Sequence, residues 1–97
     1  MPTYVTLYKW TAQGVKDVKG VPARFAAFKK LAEAAGCKTT GLYITMGEYD
    51  VVAITEVPSD ELAAAAALTV ASKGNTTSTT MRAFTESEFA QILDRVV

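Results

Sequence analysis

The sequence predicts an α+β protein with a ferredoxin-like βαββαβ order, a four-stranded antiparallel sheet and an added C-terminal helix. Four strand-like runs alternate with helical patterns, and the two middle strands are joined by a short turn, which is the split βαβ arrangement. The chain has 97 residues, of which 49% are hydrophobic, so it can bury one core. We expect a single domain over residues 1–97.

The first half of that order begins with a strand at Thr3–Trp10, a run rich in β-branched and aromatic residues. A helix then begins at Pro22, which the first helical turn tolerates, and ends at Gly36 as its C-terminal cap. Its apolar positions recur at helical spacing, at Phe25, Phe28, Leu31, Ala32 and Ala35. The intervening residues 15–21 are compatible with either a short turn of helix or a loop.

The middle of the chain predicts an antiparallel hairpin of two strands, Lys38–Met46 and Tyr49–Val57, separated by Gly47-Glu48. Ser59 then follows Pro58 as an N-cap, with two acidic residues in the first turn of the next helix. Gly74 ends that helix. The expected apolar stripe of the helix is Leu62, Ala65, Ala66 and Thr69.

The last third of the chain predicts a strand followed by a helix. Thr76–Phe84 is a run of threonines that favours a strand, because β-branched side chains lose χ1 freedom in a helix. Thr85 and Glu88 match a capping box. The apolar residues after it repeat at i, i+3, i+4 and i+7, at Phe89, Ile92, Leu93 and Val96.

The two faces of this sheet differ, and helices from this element order cover only one of them. By alternation, Val5 and Leu7 oppose a set of aromatic and hydroxyl side chains in the first strand. We expect the aromatic face, with Tyr8, Trp10 and Tyr43, to be the one that the two helices leave open. Such a patch is too apolar to stay bare, so we expect a homo-oligomer through the open sheet face. The alternatives are a ligand on this face, or a monomer whose C-terminal helix folds back over it.

Composition excludes several classes of function. Ten Lys and Arg balance ten Asp and Glu, so neither a nucleic acid nor an anionic membrane surface is an expected partner. The chain has one cysteine and no histidine, and we expect no metal site and no cofactor. Its longest apolar run, residues 62–68, is far too short to span a membrane. We expect a cytoplasmic protein.

The stretch Gly47-Glu48-Tyr49-Asp50, between two strands, resembles the motif that gives the GYD domain family its name. The resemblance extends over nearly the whole chain, and it includes Gly14-Val15-Lys16, the turn at Gly74-Asn75 and Thr79–Phe84. It implies a ferredoxin-like fold similar to the dimeric α+β barrel proteins, in which two sheets pack face to face. It implies no established reaction and no catalytic residue.

Six residues are candidates for binding a small, partly apolar ligand: Tyr8, Lys9, Tyr43, Tyr49, Asp50 and Arg82. Asp50 is either a solvated turn residue or part of a buried pair with Lys9 or Arg82 that anchors a polar ligand. Two hypotheses follow. The first is an oligomeric module that binds a ligand at the sheet face or subunit interface. The alternative is a cofactor-free enzyme, monooxygenase-like or isomerase-like, in which Asp50 or Tyr49 handles protons inside an enclosed cavity.

Overall fold

A computed structural model describes all 97 residues, Met1–Val97. Strands and helices alternate, and one 3₁₀ turn, Val18–Gly20, precedes the second helix. The elements are β1 (Thr3–Trp10), α1 (Ala12–Lys16), α2 (Val21–Ala34), β2 (Lys38–Ile44), β3 (Val51–Glu56), α3 (Asp60–Ser72), β4 (Thr76–Ala83) and α4 (Glu86–Leu93).

The four strands form one antiparallel sheet in the order β2-β3-β1-β4. This is the ferredoxin-like α+β arrangement, and the C-terminal helix is added to it, so the predicted fold class is confirmed. Between β1 and α2, the residues that were compatible with either a helical turn or a loop form the end of α1 and the 3₁₀ turn. The predicted hairpin strands are longer than the observed ones, because residues 45–50 form a wider turn than Gly47-Glu48 alone.

Local capping signals explain where the helices begin and end. The hydroxyl of Ser59 accepts a hydrogen bond from the backbone N–H of Leu62 at 3.2 Å, and Thr85 and Glu88 form the full capping box. At the end of α2, Gly36 has a φ of 83°, and the backbone N–H of Cys37 donates to the carbonyl of Ala32 at 2.8 Å. These are the marks of a Schellman cap, which only a residue that tolerates positive φ completes without strain.

The strand register decides which face of the sheet the helices cover. Tyr4, Thr6 and Tyr8 of β1 lie opposite Thr55, Ala53 and Val51 of β3, respectively, and these six side chains share one face. That face packs under α2 and α3, since Phe28 and three alanines of α3 contact the same cavity as the tyrosines. The aromatic face of β1 is therefore the covered face, and the prediction that Tyr8 and Trp10 lie on the open face is wrong.

The open face of the sheet carries the aliphatic residues instead. Across the strands it presents Val5, Leu7, Tyr43, Val52, Ile54 and Met81. Tyr43 is 59% exposed and Met81 is 43% exposed. Tyr43 and Tyr8 were expected on one face, but they lie on opposite faces, because alternation within a strand does not fix how neighbouring strands are aligned.

The apolar stripes of α2 and α3 are each rotated from the predicted ones. On α2, Leu31 is 63% exposed, whereas Phe25, Phe28 and Ala32 face the sheet. On α3, the residues at the cavity are Ala63, Ala66 and Ala67, and the predicted Ala65 and Thr69 are exposed. In a run of five alanines hydropathy does not distinguish one face from another, so packing against the sheet chose the face.

The C-terminal helix α4 projects from the rest of the molecule. Phe89 is 54% exposed and Leu93 is 51% exposed, so α4 does not fold back over the open sheet face. The molecule is 50 Å long and 19 Å thick, and its radius of gyration of 14.7 Å exceeds the value of about 12.5 Å typical of a compact chain of this length. An amphipathic helix therefore leaves its apolar side without a partner in the monomer.

Candidate functional site

Asp50 closes the end of the sheet beside β1. Its carboxylate Oδ2 accepts a hydrogen bond from the backbone N–H of Trp10 at 2.9 Å, and its own backbone N–H donates to the carbonyl of Tyr8 at 2.8 Å. Its carbonyl accepts from the backbone N–H of Thr45 at 2.8 Å across the turn. One residue thus satisfies backbone groups on both neighbouring strands at the point where the regular ladder stops, which gives the acidic residue of the Gly-x-Tyr-Asp stretch a structural role.

The other residues of this turn hold Lys9. The Nζ atom of Lys9 lies 5.2 Å from the centre of the Tyr49 ring and 4.0 Å from Oε1 of Glu48. Both Lys9 and Glu48 are exposed, so the ion pair contributes little to stability. The predicted pair between Lys9 and Asp50 does not form, because Lys9 turns toward Tyr49 and Glu48.

Arg82 lies at the opposite end of β1 from this turn, where it pairs in register with Tyr4. Its guanidinium lies 4.5 Å from the centre of the Phe84 ring and 3.4 Å from Oε2 of Glu88. Tyr4 and Tyr8 are four positions apart, which corresponds to about 13 Å along a strand. Arg82 is therefore too far from Asp50 to pair with it, and the predicted pair between Arg82 and Asp50 is wrong.

A second junction joins α1 to the turn between α3 and β4. The backbone N–H of Thr11 donates to the carbonyl of Asn75 at 3.0 Å, and the Thr11 hydroxyl donates to the carbonyl of Gly74 at 2.7 Å. Gly14 is buried here, and a Cβ atom on it would lie 2.0 Å from the carbonyl oxygen of Asn75. Only glycine permits this close approach.

A cleft between the sheet and the helices brings several hydroxyl groups together. Its floor is the covered face at the centre of the sheet, and its roof is α3 with Phe28 of α2. The cleft has a volume of about 370 Å³ including the part open to solvent, and its narrow interior has a volume of about 40 Å³. The lining residues are Tyr4, Thr6, Tyr8, Phe28, Thr55, Val57, Ala63, Ala66, Ala67 and Thr80. None of them is charged.

The two tyrosines of the cleft have different surroundings. The Tyr4 hydroxyl donates to Oδ1 of Asp60 at the start of α3, and this hydrogen bond raises the pKa of Tyr4. Burial raises the pKa of Tyr8. Beside them, the Thr6 and Thr80 hydroxyls lie 3.3 Å apart, within hydrogen-bonding distance. Both phenols are therefore neutral at pH 7 and present hydroxyl groups that donate or accept hydrogen bonds.

The six predicted site residues do not form one site. Lys9, Tyr49 and Asp50 meet at the turn between β2 and β3, and Tyr8 contributes its backbone there and its side chain to the cleft. Tyr43 lies on the open face, and Arg82 lies at the far end of β1. The rest of the cleft was not predicted from the sequence. The alternation of Tyr4, Thr6 and Tyr8 was a usable signal, but it was assigned to the wrong side of the sheet.

The enzyme hypothesis required Asp50 or Tyr49 inside an enclosed cavity. Neither residue lines the cleft, and the Asp50 carboxylate is engaged by the backbone of Trp10. This cleft therefore does not supply the geometry that the hypothesis needs. No group of three acidic or thiol side chains is placed to hold a metal ion. None of the helices has both the length and the apolar character needed to cross a bilayer.

The fold and these two junctions define a small α+β protein with ferredoxin-like topology and an appended amphipathic helix. A family model, described as the GYD domain, matches residues 4–93, and the chain belongs to the GYD domain family. The residues of the Gly-x-Tyr-Asp stretch are those that close the end of the sheet beside β1. A comparison with curated proteins and a comparison with solved structures found no match.

Proposed function

We propose that the chain is a subunit of a homodimer and binds a small, neutral, partly apolar molecule in the cleft between the sheet and α3. The observation that carries the binding proposal is the cleft itself, which five hydroxyl-bearing side chains line under a roof of alanines. Its narrow interior of about 40 Å³ is far below the range of about 300–1,000 Å³ for small-molecule sites, so the proposed ligand is very small or lies partly in the open mouth of the cleft. A lining without charged groups favours a neutral ligand over a carboxylate or a phosphate, because nothing in it offsets the desolvation of an anion.

The open sheet face supports the homodimer. A contiguous set of aliphatic side chains and Tyr43 lies on this face, and neither the two helices nor α4 covers it. Exposed apolar patches of this kind mark association surfaces. Only seven of the 97 residues are buried in the single chain, and the partner proposed here supplies the missing burial.

Two substitutions on α3 test the cleft with a matched control. Ala66 lines the cleft and Ala65 is exposed beside it, so Ala66→Leu fills the cleft whereas Ala65→Leu adds the same group to the surface. We expect phenol, a neutral aromatic probe, to shift the amide NMR signals of Tyr8 and Thr80 in the native protein and in Ala65→Leu. The shifts should vanish in Ala66→Leu, and benzoate, which is charged, should produce much smaller ones.

Native mass spectrometry of the gently purified protein provides the second test. A discrete added mass that Ala66→Leu loses and Ala65→Leu keeps would supply the first clue to the natural ligand. The cleft proposal is wrong if phenol leaves the Tyr8 and Thr80 signals unchanged, or if both leucine variants respond alike.

A further inference from the structure

The C-terminal arm, residues 85–97, has an apolar stripe and a net negative charge. Phe89 and Leu93 lie on the apolar stripe, about half exposed. The arm also carries three side-chain carboxylates, those of Glu86, Glu88 and Asp94, and only one guanidinium. Within the chain, only Glu88 has an ion-pair partner. The arm therefore offers an apolar stripe beside unpaired negative charge.

A surface of complementary character lies at the other edge of the sheet, where α2 ends and β2 begins. This receiving edge consists of Lys30, Leu31, Cys37 and Lys38, from the C-terminal part of α2, the loop after it and the first residue of β2. Its two lysines are exposed and form no ion pair within the chain, and Leu31 is 63% exposed. It thus combines an apolar anchor with unpaired positive charge.

We propose that the C-terminal arm of each subunit docks on the receiving edge of a second copy of this chain. The proposal rests on the homodimer proposed above. Charge complementarity selects the occupant: the acidic arm matches the basic receiving edge, whereas an anionic membrane surface would repel the arm. Within its own subunit the arm follows β4, and the receiving edge lies beyond β2 at the opposite side of the sheet.

The symmetry of a face-to-face dimer brings the two surfaces together. When two open sheet faces pack, their two-fold axis lies in the plane between the sheets. A two-fold axis parallel to the strands places β4 of one sheet over β2 of the other. It preserves positions along the strands, so one end of the first sheet lies over the same end of the second sheet. Thr3 pairs with both Ala83 and Glu56, and Glu56 pairs with Lys38, so β4 ends where β2 begins. The end of β4, from which the arm leaves, therefore lies over Lys38 at the start of β2 in the second copy.

The sheet face alone is smaller than the area that a stable dimer buries, and this difference favours an additional contact. Four strands about 4.8 Å apart, each about seven residues long, present a flat face of roughly 450 Å². A standard interface buries about 800 Å² on each partner. Each subunit both donates an arm and receives one, and a helix of eight residues covers about 120 Å². The two arm contacts thus supply a substantial part of the difference.

The single native cysteine gives a direct test, because Cys37 belongs to the receiving edge. Ala90→Cys places a thiol beside the apolar stripe of α4, and Gln91→Cys places one on the side opposite that stripe as the control. In the full-length protein under mild oxidation, we expect Ala90→Cys to give a covalent dimer linked between position 90 and Cys37 of the other chain, and Gln91→Cys to give little. Peptide mapping identifies the link.

Dimer dissociation constants complete the test. We expect Phe89→Gln to weaken dimerisation by about tenfold or more, since a buried phenylalanine side chain is lost. Glu86→Lys should weaken it by about fivefold, and adding Lys38→Glu to the same chain should restore it. A wild-type dimer that tolerates Phe89→Gln and gives no link between position 90 and Cys37 would overturn the arm exchange and leave the homodimer intact. A monomeric wild type would overturn both proposals.

Discussion

At the scale of single residues, two of the sites that carry the family resemblance act on the backbone. Asp50 binds the N–H of Trp10 where β1 outlasts its pairing with β3, and Gly14 permits the close approach of Asn75. These are needs of the folded chain that no reaction has to explain. The resemblance therefore identifies parts of the architecture, whereas the proposed ligand site lies in the cleft.

Replacing Asp50 should lower stability in proportion to the hydrogen bonding that is lost. Asp50→Ala leaves the Trp10 N–H without its acceptor, and we expect a loss of about 1–3 kcal/mol in the free energy of unfolding at pH 7. Asp50→Asn keeps a neutral acceptor oxygen and should cost less. Urea unfolding measures both changes, with the exposed Glu48→Gln as a control that changes stability by less than about 0.5 kcal/mol. Equal stability of Asp50→Ala and wild type would refute this role.

Gly14 gives a second prediction at the residue scale. Alanine in a helix is normally more stabilising than glycine, but Gly14→Ala places a methyl group against the Asn75 carbonyl, and we expect a loss of about 1–3 kcal/mol. Gly20→Ala is the matched control, because its methyl group would meet only the mobile end of the Asp17 side chain. Thermal unfolding distinguishes them. A Gly14→Ala protein as stable as Gly20→Ala would contradict the close approach.

At the scale of elements, the signals that predicted the structure were local ones. Ser59, Thr85 and Gly36 act within a few residues of themselves, and each was identified correctly as a helix cap. The face that the helices cover depends on how β1 aligns with its neighbours, and both faces of β1 are apolar enough to be buried. The cleft depends on that choice, so most of its lining was not predicted.

The hydrogen bonding in the capping box of α4 should depend on pH. The backbone N–H of Thr85 donates to the Glu88 carboxylate at 2.9 Å, and this hydrogen bond, with help from Arg82, lowers the pKa of Glu88 below its ordinary value. The ionised form thus stabilises α4 above the ordinary pKa of glutamate, and this stabilisation is lost as the pH falls through the lowered pKa.

NMR titration of the Thr85 amide proton measures this effect. We expect a midpoint below the Glu88 midpoint of the urea-unfolded chain. In Glu88→Gln, which keeps an acceptor for the cap, the Thr85 signal should lose this titration. A midpoint at or above the unfolded value would show that the capping hydrogen bond does not form in solution.

At the scale of the whole molecule, the single chain leaves two apolar surfaces uncovered. It has an aliphatic sheet face without a cover, an amphipathic helix without a partner and few buried residues. Tyr8 lies on the covered side, contrary to the prediction, and the aliphatic face that is left open strengthens the expectation of self-association. The proposed second copy would cover the bare sheet face and, through the proposed arm exchange, the apolar stripe of α4.

The central claim is that two copies meet through the open sheet face, and sedimentation velocity of the full-length protein at micromolar concentration tests it most directly. We predict a species of about twice the 10.4 kDa chain mass. Leu7→Lys, at the centre of the open face, should weaken this association by about a hundredfold, whereas Ala64→Lys on the exposed side of α3 should not. A wild-type protein that sediments as a monomer, or a dimer indifferent to Leu7→Lys, would contradict the claim.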